Sequence, residues 1–230
     1  ANPNTVVLLN AGGNVDMSKW IDKVPSLLHL WYAGQEGGTA VAEILFGKVN
    51  PSGKLPISFE KKWEDNPAYP YYYDVDGDKR VEYKEGLFMG YRHYDVSETK
   101  PQFAFGYGMS YTTFKYSDLR IDREKGRDLV VKIRFTVKNT GKHDGAETAQ
   151  VYIRPINPKV ERPYKELKGF AKHFIRKNTV QEIEITLDKD AFSYYKTELK
   201  DFDYDVGSYE VLVGSASDDI RLRKVIQIEK

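Results

Sequence analysis

The sequence predicts an α/β layer followed by an all-β sandwich, on three observations. Near-continuous apolar runs open the chain and alternate with glycine turns and a short helical pattern, as parallel strands covered by helices do. From Phe114 on, alternating apolar residues recur between polar or glycine turns, the mark of half-buried antiparallel strands. Between the two lies a polar, aromatic stretch from 60 to 100, punctuated by prolines, that fits neither pattern. The chain has 230 residues, enough for two domains of the usual ~100–150 residues.

Thr5 to Leu9 reads as a buried strand, followed by a glycine turn at Gly12 and Gly13. A strand followed by paired glycines can also begin a phosphate cradle. Neither dinucleotide nor P-loop spacing follows, so a plain strand-to-helix turn is preferred. Ser18 is expected to cap a short helix through Lys23, with Trp20, Ile21 and Val24 inward, ending before Pro25. Leu27, Leu28, Leu30, Trp31 and Tyr32, interrupted only by His29, give a second strand covered on both faces. After Gly34, Gly37 and Gly38, the spacing of Val41, Ile44 and Leu45 predicts a short helix stopped at Gly47. Pro51, Ser52 and Gly53 turn the chain, and Leu55, Ile57 and Phe59 predict a strand near a sheet edge. So few elements cannot close a doubly covered sheet, and the chain is therefore expected to be a piece whose first strands need partners from elsewhere.

Residues 60–100 are expected to form an extended connector. Within it Asp74, Asp76, Asp78 and Glu85 occupy the first, third, fifth and twelfth places of an EF-hand pattern. Lys79 stands where glycine is needed, and Pro70 with Tyr71–Tyr73 opposes a preceding helix, so a solvated turn without metal is preferred. In GLFMGYRHYD, Arg92 is expected to stack on aromatic faces and His93 to be a satisfied interface residue. Phe103, Phe105, Tyr107, Tyr111 and Phe114, broken by Gly106 and Gly108, read as a crossing into the last domain.

There, Leu129, Val131, Ile133, Phe135 and Val137 alternate with Val130, Lys132, Arg134, Thr136 and Lys138 up to the turn NTGKHDG. Thr148–Ile153, Leu167–Phe174, Val180–Leu187, Ser208–Gly214 and Ile220–Ile228 bring the total to about seven strands, and residues 189–205 form a longer excursion.

Composition excludes several partners. With 35 basic and 34 acidic residues the formal charge is +1, so no global field draws in nucleic acid or an anionic membrane. No apolar run approaches the ~20 residues of a membrane span, and residues 1–20 lack the features of a signal peptide. With no cysteine there is neither disulfide nor thiol nucleophile nor Cys-type zinc site. Compartment is left open, with a periplasmic or extracellular setting favoured.

WYAGQEGGTAVAEILFGKVNPSGKLPISF at 31–59, YKEGLFMGYRHYD at 83–95, FAFGYGMSYTTFKYSDL at 103–119 and GAETAQVYIRP at 145–155 occur in one order. Together they resemble the C-terminal half of the family 3 glycoside hydrolases, the β-glucosidases and their relatives. The resemblance implies a partial α/β sandwich layer over 1–66, an aromatic connector over 67–113 and a fibronectin-III-like β-sandwich over 114–230. It also implies a catalytic barrel and the first half of the sandwich domain upstream of residue 1.

A retaining glycosidase needs two carboxyl groups ~5–5.5 Å apart. The resemblance places both the nucleophilic aspartate and the acid/base glutamate in the upstream portion, so no catalytic residue, metal or cofactor is expected in this chain, and no substrate-binding residue can be named. Glu36, in GQEGG, is the one carboxylate in a catalytic-looking setting, on a glycine loop after a parallel strand. At a helix N-terminus a carboxylate is held ionised, so structural anchoring is preferred over acid catalysis. The expected partners are the upstream portion, possibly as a separate chain, and a β-linked glycoside; a homo-oligomer is left open. The rival reading is a stand-alone module that binds carbohydrate or protein through exposed aromatics of 63–73 and 101–114.

Overall fold

A computed structural model describes residues 2–124 and 128–229. The chain divides into two compact units, one of Ala1–Asn50 with Ile57–Ala104, the other of Pro51–Pro56 with Phe105–Lys230.

In the first unit, β1 (Val6–Leu9) and β2 (Ser26–His29) form a parallel pair in which Val6 lies opposite Ser26 and Leu9 opposite His29. The expected cover on both faces is not supplied by the described residues. Val6 and Leu8 remain 42% and 44% exposed, and helix α1 (Gly37–Leu45) has no buried residue. The helix itself forms where its apolar spacing predicted. It stops as Gly47, at φ 72°, takes the left-handed position and donates to Ile44 O, which a residue with a Cβ adopts at a cost.

Three expected elements differ. The second strand ends at His29, short of Tyr32, because Trp31 turns left-handed at φ 52° after Leu30 N–H makes a last bond to Leu9 O at 2.8 Å. Ser18 caps nothing: Asp16 Oδ1 takes both its N–H and its hydroxyl, and only a single 3₁₀ turn, Ile21–Lys23, follows. The strand expected over Leu55–Phe59 does not form. Pro56 interrupts the donors, leaving an isolated bridge between Phe59 and Phe103 in this unit. The remainder carries short 3₁₀ turns at Trp63–Asp65 and Tyr69–Tyr71 and a single helical turn, α2 (Tyr91–Tyr94).

The second unit is a two-sheet sandwich. One sheet has the order β3 (Phe114–Arg123), β4 (Val131–Asn139), β7 (Val180–Leu187). The other runs β11 (Asp219–Ile228), β10 (Gly207–Ala216), β5 (Gly145–Pro155), β6 (Glu166–Ile175), and all neighbours within both sheets are antiparallel. The period-two pattern read from the sequence is the packing pattern: Val131, Ile133, Phe135 and Val137 are at most 1% exposed, and meet Ile183, Val151, Ile153, Val211 and Val213 in one core. The 189–205 excursion holds a small hairpin, β8 (Tyr194–Lys196) against β9 (Asp201–Asp203). This three-plus-four arrangement, with crossings after β4, β6 and β7, is that of a fibronectin-III-like domain.

Candidate functional site

In α/β layers ligands gather beyond the carboxyl ends of parallel strands. In the first unit that edge is formed by the loops after β1 and β2 and by the start of α1. Gly12 follows β1 and lies under the ring of Tyr32, so close that a Cβ there would stand 2.6 Å from the ring. Tyr32 is otherwise 82% exposed. Beside it the His29 ring stacks on Trp31 at 4.2 Å and meets Phe59 edge-on at 5.4 Å. His29 Nδ1 accepts the Trp31 N–H at 3.0 Å, which fixes the neutral ring with its proton on Nε2. Burial lowers the basicity of that ring, and the Gly13 backbone opposes the effect less strongly.

Glu36 occupies the position before α1 and is exposed. Its carboxylate accepts from the Thr39 hydroxyl at 3.1 Å and bonds no backbone N–H of the first turn. The expected anchoring of its charge on free N–H groups is therefore replaced by a side-chain contact at the surface.

Asp74, Asp76 and Asp78 approach one another, each with a carboxylate oxygen within 4.8 Å of the others, and all three are exposed. Their oxygens are engaged locally. Asp74 accepts from Gly77 and Lys79 N–H at 2.8 and 2.9 Å, Asp76 from Asp78 N–H, and Asp78 from Arg80 N–H. These are self-bonded aspartate turns. Glu85, the twelfth-place residue, lines a different feature, a cavity of about 220 Å³ bounded also by Ser58, Glu60, Asn66, Met89 and Tyr94. There Asn14 Nδ2 donates to both Glu60 and the Ser58 carbonyl oxygen, and the Tyr94 phenol donates to Asp65 O at 3.3 Å. Burial, then the charges of Glu60 and Asp65, push that phenol up to about 12, so it stays protonated at neutral pH. The lining is rich in acceptors and unsuited to anions. Sequence reasoning missed this cavity because its residues come from separate segments with no spacing to signal them.

Arg92 and His93 sit on α2, half-buried, with His93 edge-on to Tyr94 at 5.2 Å and made less basic by burial. The aromatics of 63–73 pack edge to face, Trp63 with Tyr69 and Tyr72, and Tyr72 with Tyr73, leaving Tyr72 and Tyr73 outward. In the second unit Tyr107 and Tyr111 are exposed while Phe105 and Phe114 are half-buried.

Comparison with known proteins separates the two readings. The glycosyl hydrolase family 3 C-terminal domain matches residues 1–111, and a fibronectin type III-like domain matches residues 147–217. Thermostable beta-glucosidase B of Acetivibrio thermocellus is 45% identical over 226 residues, covering 98% of this chain and 30% of that protein. The beta-glucosidase of Kluyveromyces marxianus is 42% identical, over 100% of this chain and 27% of its own. Its crystal structure in complex with glucose superposes with a TM-score of 0.91 over the same shares. A family 3 beta-glucosidase of Bifidobacterium adolescentis, 37% identical, gives 0.92 over 99% of this chain and 33% of that one. The chain thus spans about 30% of the length of the curated relatives it matches. An unrelated stand-alone binding module is not favoured.

Proposed function

The chain belongs to glycosyl hydrolase family 3 as that family's C-terminal portion, and from this premise we propose that it serves a retaining β-glucosidase-type exo-glycosidase acting on terminal, non-reducing β-linked sugars. The catalytic carboxylates come from an upstream portion, whether in the same polypeptide or as a separate chain. One carboxylate forms the covalent glycosyl intermediate and the other serves as acid and then base.

In this reading residues 1–66 complete the α/β sandwich domain, residues 67–113 connect, and residues 114–230 brace the assembly. The observation that carries it is the near-complete match to β-glucosidases over this chain, joined to the half-open faces of β1 and β2, which await sheet neighbours. Glu36 supports the assignment of chemistry elsewhere, since its carboxylate lies exposed and accepts from the Thr39 hydroxyl.

The experiment is reconstitution. The chain is assayed on an aryl β-glucoside by itself and after co-expression with the corresponding upstream portion of a relative. Turnover only in the combined sample is expected. Hydrolysis by the chain alone would overturn the placement of the catalytic carboxylates, and a failure to associate would overturn the pairing at β1 and β2.

A further inference from the structure

Trp31 is held in a conformation that residues with a branched or bulky side chain seldom adopt. Its φ of 52° lies in the left-handed region, which costs on the order of 1–2 kcal/mol for a residue with a Cβ. Three contacts offset that cost. The Trp31 N–H donates to His29 Nδ1 at 3.0 Å, the His29 ring stacks on the indole at 4.2 Å with planes 29° apart, and Phe59 meets both rings edge-on, at 6.3 Å from the indole and 5.4 Å from the imidazole. The bond from Nδ1 to the N–H two residues on has the form of an aspartate or asparagine turn, made here by an imidazole. The other nitrogen, Nε2, is buried, and the Gly13 backbone faces the ring.

We propose that His29 is a proton-sensitive positioning residue: as the neutral ring it accepts the Trp31 N–H, fixes the left-handed turn after β2, and so sets Tyr32 over Gly12 at the carboxyl edge of the parallel pair. Protonation puts a second N–H where the acceptor was, so the turn must open. The groups framing the ring are the Trp31 indole, Phe59 and the Gly13 backbone after β1, and burial and that backbone govern its basicity. The folded ring therefore protonates below the ordinary histidine range of ~6.5. His29 holds this turn whether or not the chain serves a glycosidase.

The test is a pH titration of the full chain followed by amide and indole N–H NMR, with Trp31 assigned through Trp31→Phe. The Trp31 backbone and indole signals are expected to move together, with one midpoint below ~6.5, as the His29 ring titrates. His29→Asn supplies an acceptor of the same reach without a titrating ring, and is expected to hold the neutral-pH positions throughout. His29→Phe keeps the stacking ring but no acceptor, and is expected to show the acid positions already at neutral pH. Trp31 signals that stay fixed while the His29 ring titrates would overturn the proposal, as would a Phe variant identical to wild type. Should His29→Phe unfold the first unit, the Asn variant decides: a persisting Trp31 transition overturns the proposal, and its loss supports it.

Discussion

The phenol of Tyr209 donates a hydrogen bond of 2.8 Å to the carbonyl oxygen of Asp205, four residues upstream, at the point where the chain enters β10. This is a tyrosine corner, tying the entering loop to the strand. Its ring also packs edge-on against Phe192 at 5.3 Å, and both rings are at most 3% exposed. Tyr209→Phe keeps the packing and orphans the Asp205 carbonyl. The expected loss is about 1–3 kcal/mol in denaturant unfolding of the sandwich. An unchanged midpoint would mean that the bond contributes nothing.

Asn139 ends β4 fully buried, and its side chain makes four bonds. Its Nδ2 donates to His143 O and Ile175 O, and its Oδ1 accepts from the Thr112 hydroxyl at 2.6 Å and from Gly141 N–H at 3.1 Å. Asn139→Ala leaves several buried polar atoms without a partner. The same unfolding measurement should show roughly 3–4 kcal/mol of destabilisation, among the larger effects of single substitutions.

Two glycines should respond differently to alanine. At Gly214, in the β10–β11 irregularity, a Cβ would lie 2.4 Å from the Asp219 carbonyl oxygen, which is backbone and cannot turn aside. Gly214→Ala is expected to cost about 1–3 kcal/mol. At Gly12 the obstacle is the exposed ring of Tyr32, which can swing away. Gly12→Ala should change stability by less than ~0.5 kcal/mol while shifting the Tyr32 ring resonances.

Asp219 supplies a pH signature. Its carboxylate accepts from Arg221 Nε and Nη2 at 2.7 and 2.6 Å and from the Ser215 hydroxyl at 2.6 Å, and these bonds, Arg221 first, hold its pKa below the ordinary carboxylate value. A depressed folded pKa means that the unfolded state binds the proton first. The contribution to stability is complete above about pH 4 and is lost as the pH falls through the folded value. Thermal melts of Asp219→Asn should start from a lower Tm at neutral pH and decline less than wild type on acidification below that point.

Much of the fold was legible in the sequence where one physical signal dominated. Strict alternation in Val131–Val137 survives because both sheet faces of the core demand it, and α1 follows from Val41, Ile44 and Gly47. Legibility failed where a local competitor won. Asp16 took the donors of Ser18, Pro56 broke the ladder that Leu55, Ile57 and Phe59 promised, and the three-residue strands β8 and β9 are too short for any period to show. The candidate site was less readable still. Glu60, Glu85 and Tyr94 meet only through tertiary folding. The His29–Trp31 turn, by contrast, had a signal in its two-residue spacing, masked because both residues fall inside an apolar run that reads as strand.

The half-open faces of β1 and α1 bear on how the polypeptide behaves in a test tube. Val6, Leu8, Leu45 and Phe46 present oily surface next to unpaired strand edges, the combination that seeds precipitation. Without a companion, the chain should self-associate through this layer as its concentration rises, so that dilute samples stay monomeric and concentrated ones scatter light.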